Sequence, residues 1–73
     1  MAYEVHAELV ANVLHVLVEA GDTVAEGDTL VLLESMKMEI PVPAEVSGTV
    51  AEVAVNEGDV VTEGDLIAQI TET

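Results

Sequence analysis

Asn12-Val13-Leu14-His15-Val16-Leu17-Val18-Glu19-Ala20-Gly21-Asp22-Thr23-Val24-Ala25-Glu26-Gly27-Asp28 is written a second time, 37 residues on, as Thr49-Val50-Ala51-Glu52-Val53-Ala54-Val55-Asn56-Glu57-Gly58-Asp59-Val60-Val61-Thr62-Glu63-Gly64-Asp65. The identical pairs include Val16/Val53, Val18/Val55, Gly21/Gly58, Asp22/Asp59, Val24/Val61, Glu26/Glu63, Gly27/Gly64 and Asp28/Asp65. Val5/Val42, Ala7/Ala44 and Glu8/Glu45 continue the match upstream. Two copies make an internally duplicated domain, not a solenoid. Each copy reads as strand, Gly-Asp turn, short extended piece, Gly-Asp turn, strand. Glycine reaches positive φ without a steric penalty, and aspartate hydrogen-bonds nearby backbone. Short strands divided by regular turn signals indicate an all-β sandwich or barrel. No segment keeps apolar residues at helical spacing for long enough to form a helix. Pro41 and Pro43 confine their segment to a sheet edge or a strand end.

The two copies also assign strand faces. Glu52, Asn56 and Gln69 mark the solvent side of the second copy, so Ala51, Val53, Val55, Ala68 and Ile70 are expected to point inward. Transferred to the first copy, the same phase puts Leu14, Val16, Val18, Val31 and Leu33 in the core. It leaves Val13, His15, Leu17 and Leu32 outside. Three exposed aliphatics would suggest a docking patch, but scattered exposed apolar residues are common.

Composition agrees with a thin β-fold. Of 73 residues 51% are apolar, Phe and Trp are absent, and Tyr3 is the sole aromatic. Valine is the commonest residue, and β-branched side chains with small alanines suit packed strands rather than a bulky helical core. One small domain spanning 1–73 is expected, near the size at which a single core barely suffices. Fifteen acids against one base give a formal charge of −14. That argues against nucleic acid and anionic membranes, which need positive charge at the contact. Without cysteine there is no disulfide and no thiolate chemistry. The first residues lack the basic and apolar regions of a secretory signal, and no apolar stretch reaches membrane-spanning length, so a cytoplasmic location is expected.

The single base is Lys37, held in Glu34-Ser35-Met36-Lys37-Met38-Glu39 between two of the three methionines and at the junction of the two copies. Lysine ends a flexible stem with an amine that is nucleophilic once deprotonated, which makes it an acylation acceptor. If the two halves pack about a pseudo-twofold axis, the junction lies opposite the termini and Lys37 protrudes. Local rules do not place a tight turn there, since Met-Lys-Met has no Gly, Asn or Asp. From residues alone, Leu30 to Val42 passes for one long strand.

Glu34 to Glu39, followed by Ile40-Pro41-Val42-Pro43-Ala44-Glu45-Val46-Ser47-Gly48-Thr49-Val50, resembles the biotinyl domain of biotin-dependent carboxylases. The paired Gly-Asp-x-Val-x-x-Gly-Asp segments match as well, and the likeness runs from about Val5 to Ile70, closest to the short stand-alone biotinylated carriers. The resemblance implies a flattened β-barrel of two four-stranded antiparallel sheets with Lys37 on an exposed hairpin. It implies that biotin protein ligase attaches biotin covalently to Lys37, with Met36 and Met38 as flanking recognition residues. It further implies partners: a biotin carboxylase that loads the biotin, and a carboxyltransferase that receives the carboxyl group. The chain differs at Ser35, where alanine is usual, and at Val10-Ala11, where a Pro-Gly turn is common. Ala20 to Thr29 matches its counterpart without insertion, so no thumb loop is expected.

Other chemistry is poorly represented. His6 and His15 fit no ligand spacing and are expected at the surface. Neither calcium-loop pattern occurs among the acids, so no metal is expected. Ser35-x-Lys37 has the wrong spacing for a Ser-x-x-Lys catalyst. A domain this small is expected to offer no cleft and no catalytic residues of its own. The alternatives are a lipoyl carrier, whose hairpins present Asp-Lys and a small or branched residue, and a structural or regulatory domain without a prosthetic group.

Overall fold

The structure is a computed structural model that describes residues 2–72. Eight strands follow in chain order: β1 (Ala2–His6), β2 (Ala11–Val16), β3 (Thr23–Val24), β4 (Thr29–Ser35), β5 (Met38–Pro43), β6 (Gly48–Val53), β7 (Val60–Val61) and β8 (Leu66–Glu72). They form two antiparallel four-stranded sheets, in the orders β1-β8-β6-β3 and β5-β4-β2-β7. Exchanging each strand for its copy four places along converts the first order into the second, so the sequence duplication is also a duplication in space. Each sheet draws two strands from each copy, and the halves are interleaved. The result is a flattened barrel of 35 × 18 × 17 Å.

The Gly-Asp pairs build one turn four times. The Asp22 N–H donates to the Glu19 carbonyl (3.0 Å), while the Glu19 N–H donates to the Asp22 carboxylate (2.9 Å). Ala25/Asp28, Asn56/Asp59 and Thr62/Asp65 repeat this reciprocal pair. The glycine in each turn has φ between 93° and 99°, a region open to glycine at little cost. The turns then lock one copy to the other. Gly21 N–H donates to Val50 carbonyl (2.8 Å), and its mate Gly58 to Val13 carbonyl (2.9 Å).

Strand faces follow the expected alternation only on one side of a β-bulge. The β2–β4 register shifts between Val13 and His15, and the β6–β8 register shifts at the mate positions, between Val50 and Glu52. Each shift inserts one unpaired residue, Leu14 or Ala51, and resets the phase. Beyond the bulge the expectation stands: Val16, Val18 and Val53 are half-buried, Val55 is buried, and His15 and Glu52 face solvent. Before it the expectation is reversed. Val13 and Val50 are buried, Leu14 is only half-buried, and Ala51 is exposed. Leu32 is half-buried as well, so of the anticipated exposed aliphatics only Leu17 remains. A second pair of shifts, after Thr29 in β4 and opposite Leu66 in β8, buries consecutive residues: Leu30 with Val31, and Ile67 with Ala68.

The core is made of mates: Leu30 and Ile67, Leu33 and Ile70, Val13 and Val50, Val24 and Val61. Fully burying each of the larger aliphatics contributes roughly 1.5–3 kcal/mol. No polar or charged side chain is buried among the described residues. The core therefore has no buried charge to balance, and all of the acidity stays on the outside.

The register also sets the ends of the molecule. Thr29 pairs with Pro43 at the foot of the β4–β5 hairpin. The 25–28 turn connects that foot to Val24, which pairs with Gly48, which pairs with Glu72. The tip of the hairpin is seven strand residues away, roughly 20 Å. Lys37 and the C-terminal strand end thus lie at opposite ends of the barrel.

Candidate functional site: the hairpin tip

Ser35 pairs with Met38, leaving Met36 and Lys37 as a two-residue turn. Both are left-handed, with φ of 54° and 66°. Positive φ at both central residues defines the type I′ turn, whose twist suits the right-handed twist of flanking strands. Asn-Gly is the usual choice there, and a left-handed non-glycine residue costs about 1–2 kcal/mol. Pairing along the hairpin offsets it: Leu33 against Ile40 and Val31 against Val42 fix both legs on the core, so the chain must reverse between them. This corrects the reading of Leu30 to Val42 as one strand. As the prolines require, β5 lies at the edge of its sheet.

The turn lifts its side chains into solvent. Met36 is 91% exposed and Met38 65%, and Lys37 is exposed between them. Among the described residues the contacts between basic and acidic side chains are His6–Glu4 (3.0 Å) and His15–Glu57 (3.7 Å), and neither involves Lys37. One rung below, Glu34 faces Glu39 across the hairpin. Like charges set directly opposite each other weaken a sheet by some tenths of a kcal/mol. That pair was hidden in the sequence, because its members become neighbours only once the turn is placed at Met36-Lys37. The site is an amine on a short rigid post, open to an enzyme from above, with carboxylates at its base.

The remaining candidates lie elsewhere. His6 is exposed on β1, with Nδ1 3.0 Å from the Gly64 carbonyl oxygen and Nε2 3.0 Å from a Glu4 carboxylate oxygen. His15 is exposed on β2. Among the described residues no three His, Cys, Asp or Glu side chains gather as metal ligands do. Contrary to expectation there is a cleft, of about 300 Å³, where the edge strands β1 and β5 stay apart. Its lining includes Val5, Leu33 and Val42 but neither Lys37 nor Ser35.

A family model described as biotin-requiring enzyme, the biotin/lipoyl family, matches residues 4–70. The chain belongs to this family. A biotinylated protein TB7.3 homolog from Mycolicibacterium smegmatis is 70% identical over 44 residues, which cover 60% of this chain and 62% of the relative. A biotin/lipoyl attachment protein from Bacillus subtilis is 45% identical over 40 residues, 55% of each chain. The matched segment thus spans under two thirds of the length of these relatives. Among solved structures, the Kluyveromyces lactis urea carboxylase superposes with a TM-score of 0.91 at 34% identity, over 97% of this chain and 6% of that one. A lipoyl domain of the 2-oxoglutarate dehydrogenase complex from Azotobacter vinelandii superposes with a TM-score of 0.76 at 28% identity, over 93% and 96%. The all-β, two-sheet architecture of this family is the one built by the duplication.

Proposed function

We propose that this chain is a biotin carrier and that Lys37 is its attachment point. The observation that carries the reading is the exposure of one solitary amine at the apex of a type I′ turn, flanked by Met36 and Met38. Membership of the biotin/lipoyl family supports it. So does the likeness to a protein named as biotinylated and to a urea carboxylase.

Biotin protein ligase is the enzyme that would load it, in a cytoplasmic setting. The deprotonated Nζ of Lys37 attacks the acyl carbon of biotinyl-AMP; the new C–N amide forms, the C–O bond to phosphate breaks, and AMP leaves while the amine gives up its proton. Biotin, once attached, supplies the ring nitrogen that carries a carboxyl group from a biotin carboxylase to a carboxyltransferase. This chain's own part is mechanical. The barrel holds the post rigid, the turn keeps the lysine stem in water, and tethering replaces diffusion by a high local concentration at both enzymes. No group of the chain is assigned to the chemistry of carboxyl transfer.

The intact mass of the chain purified from its native cell tests this, beside Lys37→Arg. A biotin-sized amide adduct present in the first and absent from the second is the expected result. A lipoyl-sized adduct would replace the reading with its lipoyl counterpart, and an unmodified chain in the presence of ligase, ATP and biotin would end it.

A further inference from the structure

Exposed large apolar side chains are few on this acidic surface, and they are not scattered. Among the described residues they are Val10, Leu17, Met36, Met38 and Val60. All but Leu17 stand at the Lys37 end. The antiparallel register that opposes Asn12 to Glu34 brings Val10, two residues earlier, to the level of Met36. Val60 pairs with Asn12 and lies one rung below the tip. Val60 shares its rung, and so its outward face, with Asn12, Glu34 and Glu39; Val10, two residues before Asn12, keeps that face, whereas Met38, next to Glu39, projects from the other face of the hairpin. Met36, Val10 and Val60 make a row over β4, β2 and β7, roughly 10 Å wide, two strand spacings.

The duplication supplies an internal control. Thirty-seven residues away, the mate of Val10 is Ser47 and the mate of Val60 is Thr23. Ser47 and Thr23 are exposed, on the matching elements of the other sheet. The fold therefore accepts polar residues at both positions, and valine is not needed for folding there. Val10 is 61% exposed and Val60 63%, so neither is filling the core.

We propose that Val10 and Val60 extend the methionine-flanked tip into a contact surface for the enzyme that acylates Lys37. This rests on the proposed function. The occupant follows from geometry: an active site that places its acyl carbon on the Lys37 amine has to close over the turn, and the row runs from that turn across β2 and β7. A compact apolar patch fits such a transient enzyme–substrate contact. Glu34 and Glu39, one rung back, add carboxylates beside it. The partner face is thus apolar where it meets the row and cationic where it meets the hairpin base.

The test uses the symmetry mates as substitutions. Val10→Ser with Val60→Thr installs the residues the same fold already carries at its other end, and Leu17→Ser removes an equally exposed side chain roughly 20 Å from the tip. Initial rates of biotin incorporation are measured with purified biotin protein ligase, ATP and biotin over a range of chain concentrations. The expected result is a KM for the chain raised about ten-fold in the double variant with kcat nearly unchanged, and no change for Leu17→Ser. An unchanged KM in the double variant overturns the proposal, as does an equal rise with Leu17→Ser. If sedimentation shows a wild-type dimer that the double variant dissolves without a change in KM, the patch belongs to a second copy and the proposal fails. Should the double variant lose its β-sheet circular dichroism, Val60→Thr alone carries the test, with a smaller rise in KM expected and none overturning the proposal. A wild-type chain left unlabelled at Lys37 would sink the carrier reading itself, and this proposal with it; labelled wild type with indifferent variants sinks only the latter.

Discussion

Met36 and Lys37 are consecutive left-handed residues, at φ 54° and 66°, and neither is glycine, asparagine or aspartate. Strain of this kind survives where surrounding structure over-determines the backbone. Met36→Asn should relieve part of it. Because the Met36 side chain is 91% exposed, little packing is lost. Stability is expected to rise by about 0.5–1 kcal/mol, read as a higher urea midpoint at constant m value. A lower midpoint would mean that Met36 packs on the tip more than its exposure indicates.

Gly48 and its mate Ala11 differ in backbone packing. A Cβ at Gly48 would collide with the Thr71 carbonyl oxygen, with the Thr71 carbonyl carbon at 2.8 Å, and backbone cannot swing aside. The ladders differ accordingly: β6 pairs with β8 from Gly48↔Glu72, whereas β2 pairs with β4 only from Asn12↔Glu34. Gly48→Ala is expected to cost about 2–3 kcal/mol as overpacking. Ala11→Gly should cost under about 1 kcal/mol. Thermal unfolding of both variants checks the contrast, and equal losses would contradict it.

The bulge at Leu14 makes a second pair of opposite expectations. Val13, 2% exposed, should lose about 1.5–2.5 kcal/mol on change to alanine. Leu14 is the larger residue but only half-buried, and Leu14→Ala should cost less than Val13→Ala. Chemical denaturation gives both. A larger loss at Leu14 would restore the uninterrupted alternation.

Self-repulsion among fifteen acids opposes the compact state, with only one base to offset it. Screening should therefore stabilise the fold, since the Debye length falls from about 30 Å at 0.01 M to about 8 Å at 0.15 M ionic strength. The thermal midpoint is expected to climb over that range of sodium chloride, most steeply at the low end. A flat or falling midpoint would show that the exposed carboxylates are spaced too far apart to matter.

Much of this molecule was legible in its residues. The offset repeat, the four Gly-Asp turns, the edge position of Pro41 and Pro43 and the isolation of Lys37 are all local signals, carried by backbone preference, ring geometry and charge count. They determined an internally duplicated all-β domain with an amine at its midpoint. Which of Val13 and Leu14 enters the core was decided only in three dimensions, because a bulge is a property of two paired strands and leaves no mark on one. The reversal at Met36-Lys37 was decided there too: packing both legs of the β4–β5 ladder on the core overrides the turn preference of the two residues that make it. And Val10 and Val60, fifty residues apart in the chain, reach the Lys37 end only through pairing, of β2 with β4 inside one copy and of β7 with β2 across the two. Short-range physics wrote the elements; long-range pairing chose their phase and what gathers at the tip.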